Sequence, residues 1–172
     1  MILNRYAAVT GLMALSCTAA QAQGRDAKMA LSTLDKTYLK DTAQSNLEEV
    51  QFAPIVMSHA TSREDRRFGQ RMKQDHSKAN AELRRLANKI GEKLPEDVSD
   101  DQKSLMKKLS QFHGAKFASA YKQEMIRDHT EDIAKTKREI SLGQNPLVKA
   151  NAQENLVLLQ MHLKMSKALP AT

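Results

Sequence analysis

The chain of 172 residues contains no tryptophan and only four phenylalanines. Leucine, methionine and alanine therefore have to supply most of its apolar core. Cysteine is also scarce, because Cys17 is the single one in the sequence. No stretch shows the sustained alternation of apolar and polar residues that marks a β-strand, so the chain is not expected to form a sheet.

Several functional motifs are missing as well. The sequence has no Gly-x-Ser-x-Gly nucleophile turn and no phosphate-binding loop. The net charge is +7, but the low aromatic content and the lack of a known binding motif argue against nucleic acid as a partner. Because acidic and basic residues are interspersed, we interpret the charge as a solvated surface. Attraction to an anionic envelope surface is the alternative.

The N-terminus has the pattern of an export signal. Arg5 provides the positive charge, residues 6–20 are uncharged and mostly apolar, and Ala20-Gln21-Ala22 is a small-x-small cleavage site. The apolar run is shorter than the roughly 20 residues that a membrane span needs, so the mature chain is expected to have no transmembrane span.

These features divide the chain into three parts. We predict a signal peptide at 1–22, a disordered lead-in at 23–33 and one folded domain at 34–169. The protein is then expected in the periplasm, and cleavage after Ala22 removes its only cysteine. In the alternative, Cys17 is acylated and attaches the protein to the outer membrane.

Apolar residues three and four positions apart cover most of the mature chain, which is the periodicity of α-helices. Four long helices with short connections, and a short extra helix between the second and third of them, predict an all-α bundle. The predicted helices run approximately over Leu34–Ala60, Arg66–Ile90, Asp100–Gln111, Ala115–Leu142 and Asn145–Leu169.

Three expectations concern the first helix. Pro54 lies inside it and lacks a backbone donor, so we expect a kink or a division into two helices. Met57 is expected on the buried stripe. At about 100° per residue, Glu49 falls on the flank of that stripe and Glu48 opposite to it, so Glu49 is the carboxylate that can point inward.

Polar side chains occupy positions near the centre of the predicted bundle. His76, His129 and His162 lie on or beside the inner faces of three different helices, and Glu49 and Asp75 can join them. A carboxylate or imidazole that faces a core costs free energy unless a partner satisfies it. Helix bundles build metal sites from such inward carboxylates and imidazoles.

Two of these histidines belong to a repeated motif. The pattern Met-x-x-Asp-His-Ser/Thr begins at Met72 and again at Met125, and both copies place an imidazole in the middle of a predicted helix. The remaining histidines, His59 and His113, lie near the ends of helices and are expected on the surface or in loops.

Two interpretations of the polar positions stay open. We favour a hydrogen-bonded polar network at the centre of the bundle. The alternative is a transition-metal site for iron, zinc, manganese or copper. Its candidate ligands are Glu49, Asp75, His76, His129 and His162.

Several stretches together resemble a family of exported bacterial proteins. They are Ala43–Val50, the run Met72–Leu83 with the form Met-x-x-Asp-His-Ser-x-Ala-Asn-x-x-Leu, Phe117 with Tyr121 and the later His129, and His162 near the C-terminus. The family is a ferritin-like group of unknown function whose members are often labelled "predicted outer membrane protein". The resemblance extends over about residues 38–169.

This resemblance implies a ferritin-like four-helix bundle outside the cytoplasm, without an established activity. The chain lacks the paired Glu-x-x-His motifs of di-iron ferritin-like enzymes, which argues against ferroxidase activity. We therefore expect a non-enzymatic binding or envelope-associated role, and keep a metal-binding protein, with or without redox activity, as the alternative. The sequence leaves open whether the protein is an enzyme.

Overall fold

The computed structural model describes residues 30–170, and within this range every regular element is a helix. The predicted all-helical class is therefore confirmed for this part of the chain. The predicted signal peptide, Cys17 and most of the lead-in lie outside the described residues. Four helices are long, and the short α3 lies between the second and third of them, as expected. The helices are α1 (Thr33–His59), α2 (Arg63–Ile90), α3 (Asp100–Leu109), α4 (Gly114–Leu142) and α5 (Pro146–Ala168).

The long helices pack as two antiparallel pairs. The helix α1 lies mainly against α2, and α4 lies mainly against α5. The two pairs meet where α1 contacts α4 and where α2 contacts α5, while α3 contacts α4. Short connections keep the members of each pair adjacent, and each pair closes the apolar face of the other.

Side chains at the helix ends explain several of these boundaries. Ser99 and Gln102 form a capping box at the start of α3, and Ser32 forms another at the start of α1. Gly91 ends α2 with φ at 75°, the left-handed conformation that glycine adopts without strain. Asn145 caps α5, because its Oδ1 accepts hydrogen bonds from the first turn.

The buried residues form two apolar clusters with a polar layer between them. One cluster is rich in aromatic residues and methionine and includes Phe52, Met72, Phe117, Tyr121 and Met125. The other is aliphatic and surrounds Leu39, Leu83 and Val148 at the opposite end of the bundle. Glu49 on α1, His76 on α2, His129 on α4 and His162 on α5 come between the residues of the two clusters.

Two expectations for α1 need correction. Of the kink or division expected at Pro54, the division is wrong, because one α-helix continues from Thr33 to His59; the kink stays a prediction. Ala53 and Val56 are both buried around the proline, so their packing holds the helix together despite the missing donor. Met57 is 48% exposed and lies outside the core. Among the described residues, no helix is both long and apolar enough to cross a membrane.

Candidate metal centre

Three histidines converge in the polar layer. His76 comes from α2, His129 from α4 and His162 from α5, and each is at most 1% exposed. Their ring centroids are 5.7 Å (His76 to His129), 5.0 Å (His76 to His162) and 5.5 Å (His129 to His162) apart. One ring nitrogen from each histidine lies within 4.8 Å of the other two. The structure thus brings together the three histidines that the sequence placed on inner faces.

One nitrogen of each ring is held by an oxygen acceptor. His76 Nδ1 donates to Asn46 Oδ1 at 2.8 Å, and His129 Nδ1 donates to the backbone carbonyl of Met125 at 2.9 Å. His162 Nε2 donates to Asp75 Oδ2 at 2.9 Å. These acceptors orient the rings and place the ring proton on the bonded nitrogen.

The second nitrogen of each ring is buried and has no hydrogen-bond partner among residues 30–170. These atoms are Nε2 of His76, Nε2 of His129 and Nδ1 of His162. With the ring proton on the other nitrogen, each of them carries a lone pair directed away from its oxygen partner. Three buried lone pairs on converging rings are the donor set of a metal site with three protein ligands.

The environment keeps these imidazoles neutral near pH 7. Burial, and then the neighbouring His129 and His162, hold the pKa of His76 well below its usual value. Burial and His162 lower the pKa of His129 to about 4. Burial also lowers the pKa of His162, although the bond to Asp75 opposes the shift. Neutral rings do not have to release a proton before they bind a metal ion.

A cavity opens between α1, α2 and α5. Its volume is about 290 Å³, and both Asn46 and Asp75 line it. The two side chains that orient His76 and His162 therefore separate these rings from this cavity.

The family described as "Domain of unknown function (DUF4142)" matches residues 20–169. The chain belongs to the DUF4142 family. This confirms the expected resemblance at the level of a family of unknown function. No curated protein matches the chain.

A solved structure shares the fold of this DUF4142 chain. It is described as "Crystal structure of DUF305 fragment from Deinococcus radiodurans" and superposes with a TM-score of 0.66. The match covers 80% of this chain and 95% of the other, with 13% sequence identity. At this identity the likeness concerns the helical fold alone.

Asp75 and Glu49 do not belong to the group of three nitrogens. The side chain of Asp75 is 19% exposed and accepts from His162 and from Arg71. Burial raises the pKa of Asp75, but the hydrogen bonds from Arg71 and His162 outweigh this and lower it. Glu49 is 2% exposed and lies instead in a neighbouring group with Asp128 and His129.

The group around Glu49 is rich in carboxyl oxygen. One ligand atom from each of Glu49, Asp128 and His129 lies within 4.8 Å of the others. Burial, followed by the charge of Asp128, raises the pKa of Glu49 well above its usual value. Burial, followed by the charge of Asp132, does the same to Asp128.

Two residues of this region were not predicted from the sequence. Asn46 precedes Glu49 by three positions and therefore lies on the same helix face. This spacing is the signal from which Asn46 could have been predicted. Asp128 is the acid of the second Met-x-x-Asp-His copy, whose equivalent Asp75 was selected. The repeat is therefore the signal from which Asp128 could have been predicted.

Proposed function

We propose that this protein binds one transition-metal ion through His76 Nε2, His129 Nε2 and His162 Nδ1 in the centre of the helical bundle. The carrying observation has two parts: the three rings converge with one nitrogen of each within 4.8 Å of the others, and these three named nitrogens are buried without a hydrogen-bond partner in the described part of the chain. The proposal is one of binding, and it assigns no reaction to the protein.

A polar network without a metal satisfies these atoms less well. All three nitrogens are acceptors, so they cannot donate to one another. A water molecule has two hydrogens and can satisfy two of the three at most. One metal ion accepts all three lone pairs at once. The oxygens of Asn46, Met125 and Asp75 hold the rings from behind, which is the usual support of histidine ligands.

The donor set also limits the choice of metal. Imidazole nitrogen suits zinc, copper and iron, whereas manganese prefers oxygen ligands. We therefore propose zinc, copper or iron for the imidazole site. Three protein ligands leave a further coordination position for water or for a small ligand.

Two features of the setting are part of the proposal. We propose a ferritin-like arrangement of the four long helices, supported by the two helix pairs around a polar core. We also propose that the domain at 34–169 acts outside the cytoplasm, most simply in the periplasm. The support for export is the charge, apolar run and cleavage pattern of residues 1–22.

The direct test is the metal content of untagged protein after equilibrium dialysis against Zn²⁺, Cu²⁺ or Fe²⁺. We expect about one ion per chain with at least one of these metals. His76→Ala, His129→Ala and His162→Ala should each weaken binding by about 100-fold or more, because each removes one of three ligands.

His59 and His113 provide the matched control. Their rings stack with centroids 4.4 Å apart outside the polar layer, so they represent a histidine pair that does not belong to the site. His59→Ala and His113→Ala should keep the bound metal. Circular dichroism of each variant, together with the milder His162→Asn, separates loss of ligand from loss of fold. Wild-type protein that retains none of the three metals, or equal losses in the control variants, would overturn the proposal.

A further inference from the structure

A second group of metal-ligating side chains lies beside the imidazoles and differs from them in chemistry. Glu49 comes from α1 and Asp128 from α4, and one oxygen of each lies within 4.8 Å of the other and of a ring nitrogen of His129. His129 thus belongs to both groups, the one of imidazoles and the one with two carboxyl groups.

Within residues 30–170, no lysine or arginine forms an ion pair with the carboxylate side of this border, and Arg127 acts on Asp128 only through its charge at longer range. Glu49 is 2% exposed, and its Oε2 is buried without a hydrogen-bond partner. The nearest basic atom to Asp128 is His129 Nδ1 at 4.0 Å, whose own hydrogen bond goes to Met125. A buried carboxylate without a partner is costly, and a bound cation removes that cost.

The basic residues nearby are already engaged elsewhere. Arg127 pairs with Glu124 and Glu131 on the outer side of α4. The amino group of Lys135 pairs with Asp132 at 3.3 Å. Neither side chain forms an ion pair with Glu49 or Asp128, so both carboxyl groups stay available to a ligand from outside the chain.

An acidic cleft leads from the surface to Asp128. Its volume is about 360 Å³, and Arg127 and Lys135 are the only basic residues that line it. Walls with an excess of negative charge concentrate cations at a cleft. The acidic lining residues are Asp41, Glu48, Asp101, Asp128, Glu131 and Asp132.

We propose that Glu49 and Asp128 form a second cation site, distinct from the three imidazoles, for a hard divalent cation that enters through this acidic cleft. Two carboxyl groups with water from the cleft are the ligands that manganese, magnesium and calcium prefer, whereas the imidazole site suits softer ions. The bundle then holds two adjacent sites of different selectivity that meet at His129.

Mn²⁺ is the probe for this site, because the sharp electron paramagnetic resonance signal of the free ion disappears when it binds. We expect wild-type protein to bind about one Mn²⁺ per chain in this titration. Glu49→Gln and Asp128→Asn should each weaken Mn²⁺ binding by about tenfold or more, because both substitutions keep the shape and remove the anionic ligand. Glu131→Gln is the matched control, since it removes the same charge from the same cleft at a side chain that is 51% exposed. This control should change the affinity by less than about threefold.

A double variant separates the two proposals. His76→Ala with His162→Ala removes two imidazole ligands and leaves Glu49, Asp128 and His129 in place. This variant should lose the transition metal and keep Mn²⁺, while Asp128→Asn should lose Mn²⁺ and keep the transition metal. If only the imidazole proposal fails, the Mn²⁺ titrations should still give the results expected above. The second site is overturned if wild-type protein binds no Mn²⁺, or if Glu49→Gln, Asp128→Asn and Glu131→Gln all bind it as the wild type does.

Discussion

The two copies of Met-x-x-Asp-His fold alike but lie in different surroundings. In both, the histidine is buried in the polar layer, and the methionines Met72 and Met125 are buried in the same aromatic cluster. The acids differ. Asp75 accepts from His162 and Arg71, which lower its pKa, whereas Asp128 faces Glu49 and has its pKa raised by burial and by the charge of neighbouring acids.

This difference separates the part of the motif that is controlled by local helix geometry from the part that is not. A methionine and a histidine four positions apart share one helix face, so both copies direct them inward. The acid sits at the edge of that face, and its role depends on what the neighbouring helix presents. The helix α5 presents an imidazole to Asp75, while α1 presents a carboxyl group near Asp128.

Truncation of the methionines is the strongest test of the part that the copies share. Met72→Ala and Met125→Ala should each lower the free energy of unfolding by about 2–5 kcal/mol, because both side chains are at most 3% exposed and their loss leaves a cavity. Urea unfolding of metal-free protein measures this. Met57→Ala is the control, and its effect should stay below about 0.5 kcal/mol because Met57 is exposed. A large loss for one methionine and none for the other would show that the two copies are not equivalent.

Replacement of each acid by its amide tests the part of the motif in which the two copies differ. Asp75→Asn should weaken Zn²⁺ binding by about 10-fold or more, because it removes the charge that supports His162 as a ligand. Asp128→Asn carries the same charge change and should alter Zn²⁺ affinity by less than about threefold. Competition with a chromogenic chelator measures both affinities. Equal losses would mean that Asp128 supports the imidazole site just as Asp75 does.

Glu139, a buried acid further along α4, provides a third case for this comparison. It faces the carboxyl group of Asp35 rather than a histidine. Burial, and then the neighbouring Asp35, raise the pKa of Glu139 to about 7, with Lys149 opposing the shift. Burial also raises the pKa of Asp35, but hydrogen bonds from Ser32 and Asn145 outweigh it and bring the pKa to about 2. A proton on Glu139 therefore relieves the repulsion in this pair.

The pH dependence of stability follows from this raised pKa. Well below pH 4.5, its usual pKa, Glu139 is protonated in both the folded and the unfolded state and has no effect on the pH dependence of stability. Between about pH 4.5 and about 7 the unfolded state releases this proton while the folded state keeps it, so stability falls across this window and levels off above it. Glu139→Gln should therefore raise the Tm at pH 8 by about 4 °C and leave it nearly unchanged at pH 4. A Tm difference that is the same at both pH values would contradict this.

The periodicity of the sequence was enough to predict most of the fold and part of the site. The helices, the short α3, the caps at Ser99 and Asn145 and the inward turn of Glu49 follow from short-range rules of spacing and capping. The continuity of α1 through Pro54 and the exposure of Met57 did not follow from those rules, because both depend on how the helix packs in the bundle. The partner of each acid could not be predicted from the sequence either, because it comes from a helix that is distant in sequence.

The amino-acid sequence by itself determined that this chain forms amphipathic helices and that three of them carry an imidazole near their inner faces, because helical periodicity depends only on residues a few positions apart. Only the tertiary structure decided that Asp75 supports His162 while Asp128 faces Glu49. That choice depends on the rotation and height at which the four long helices pack, and these are set by the whole core rather than by any one helix.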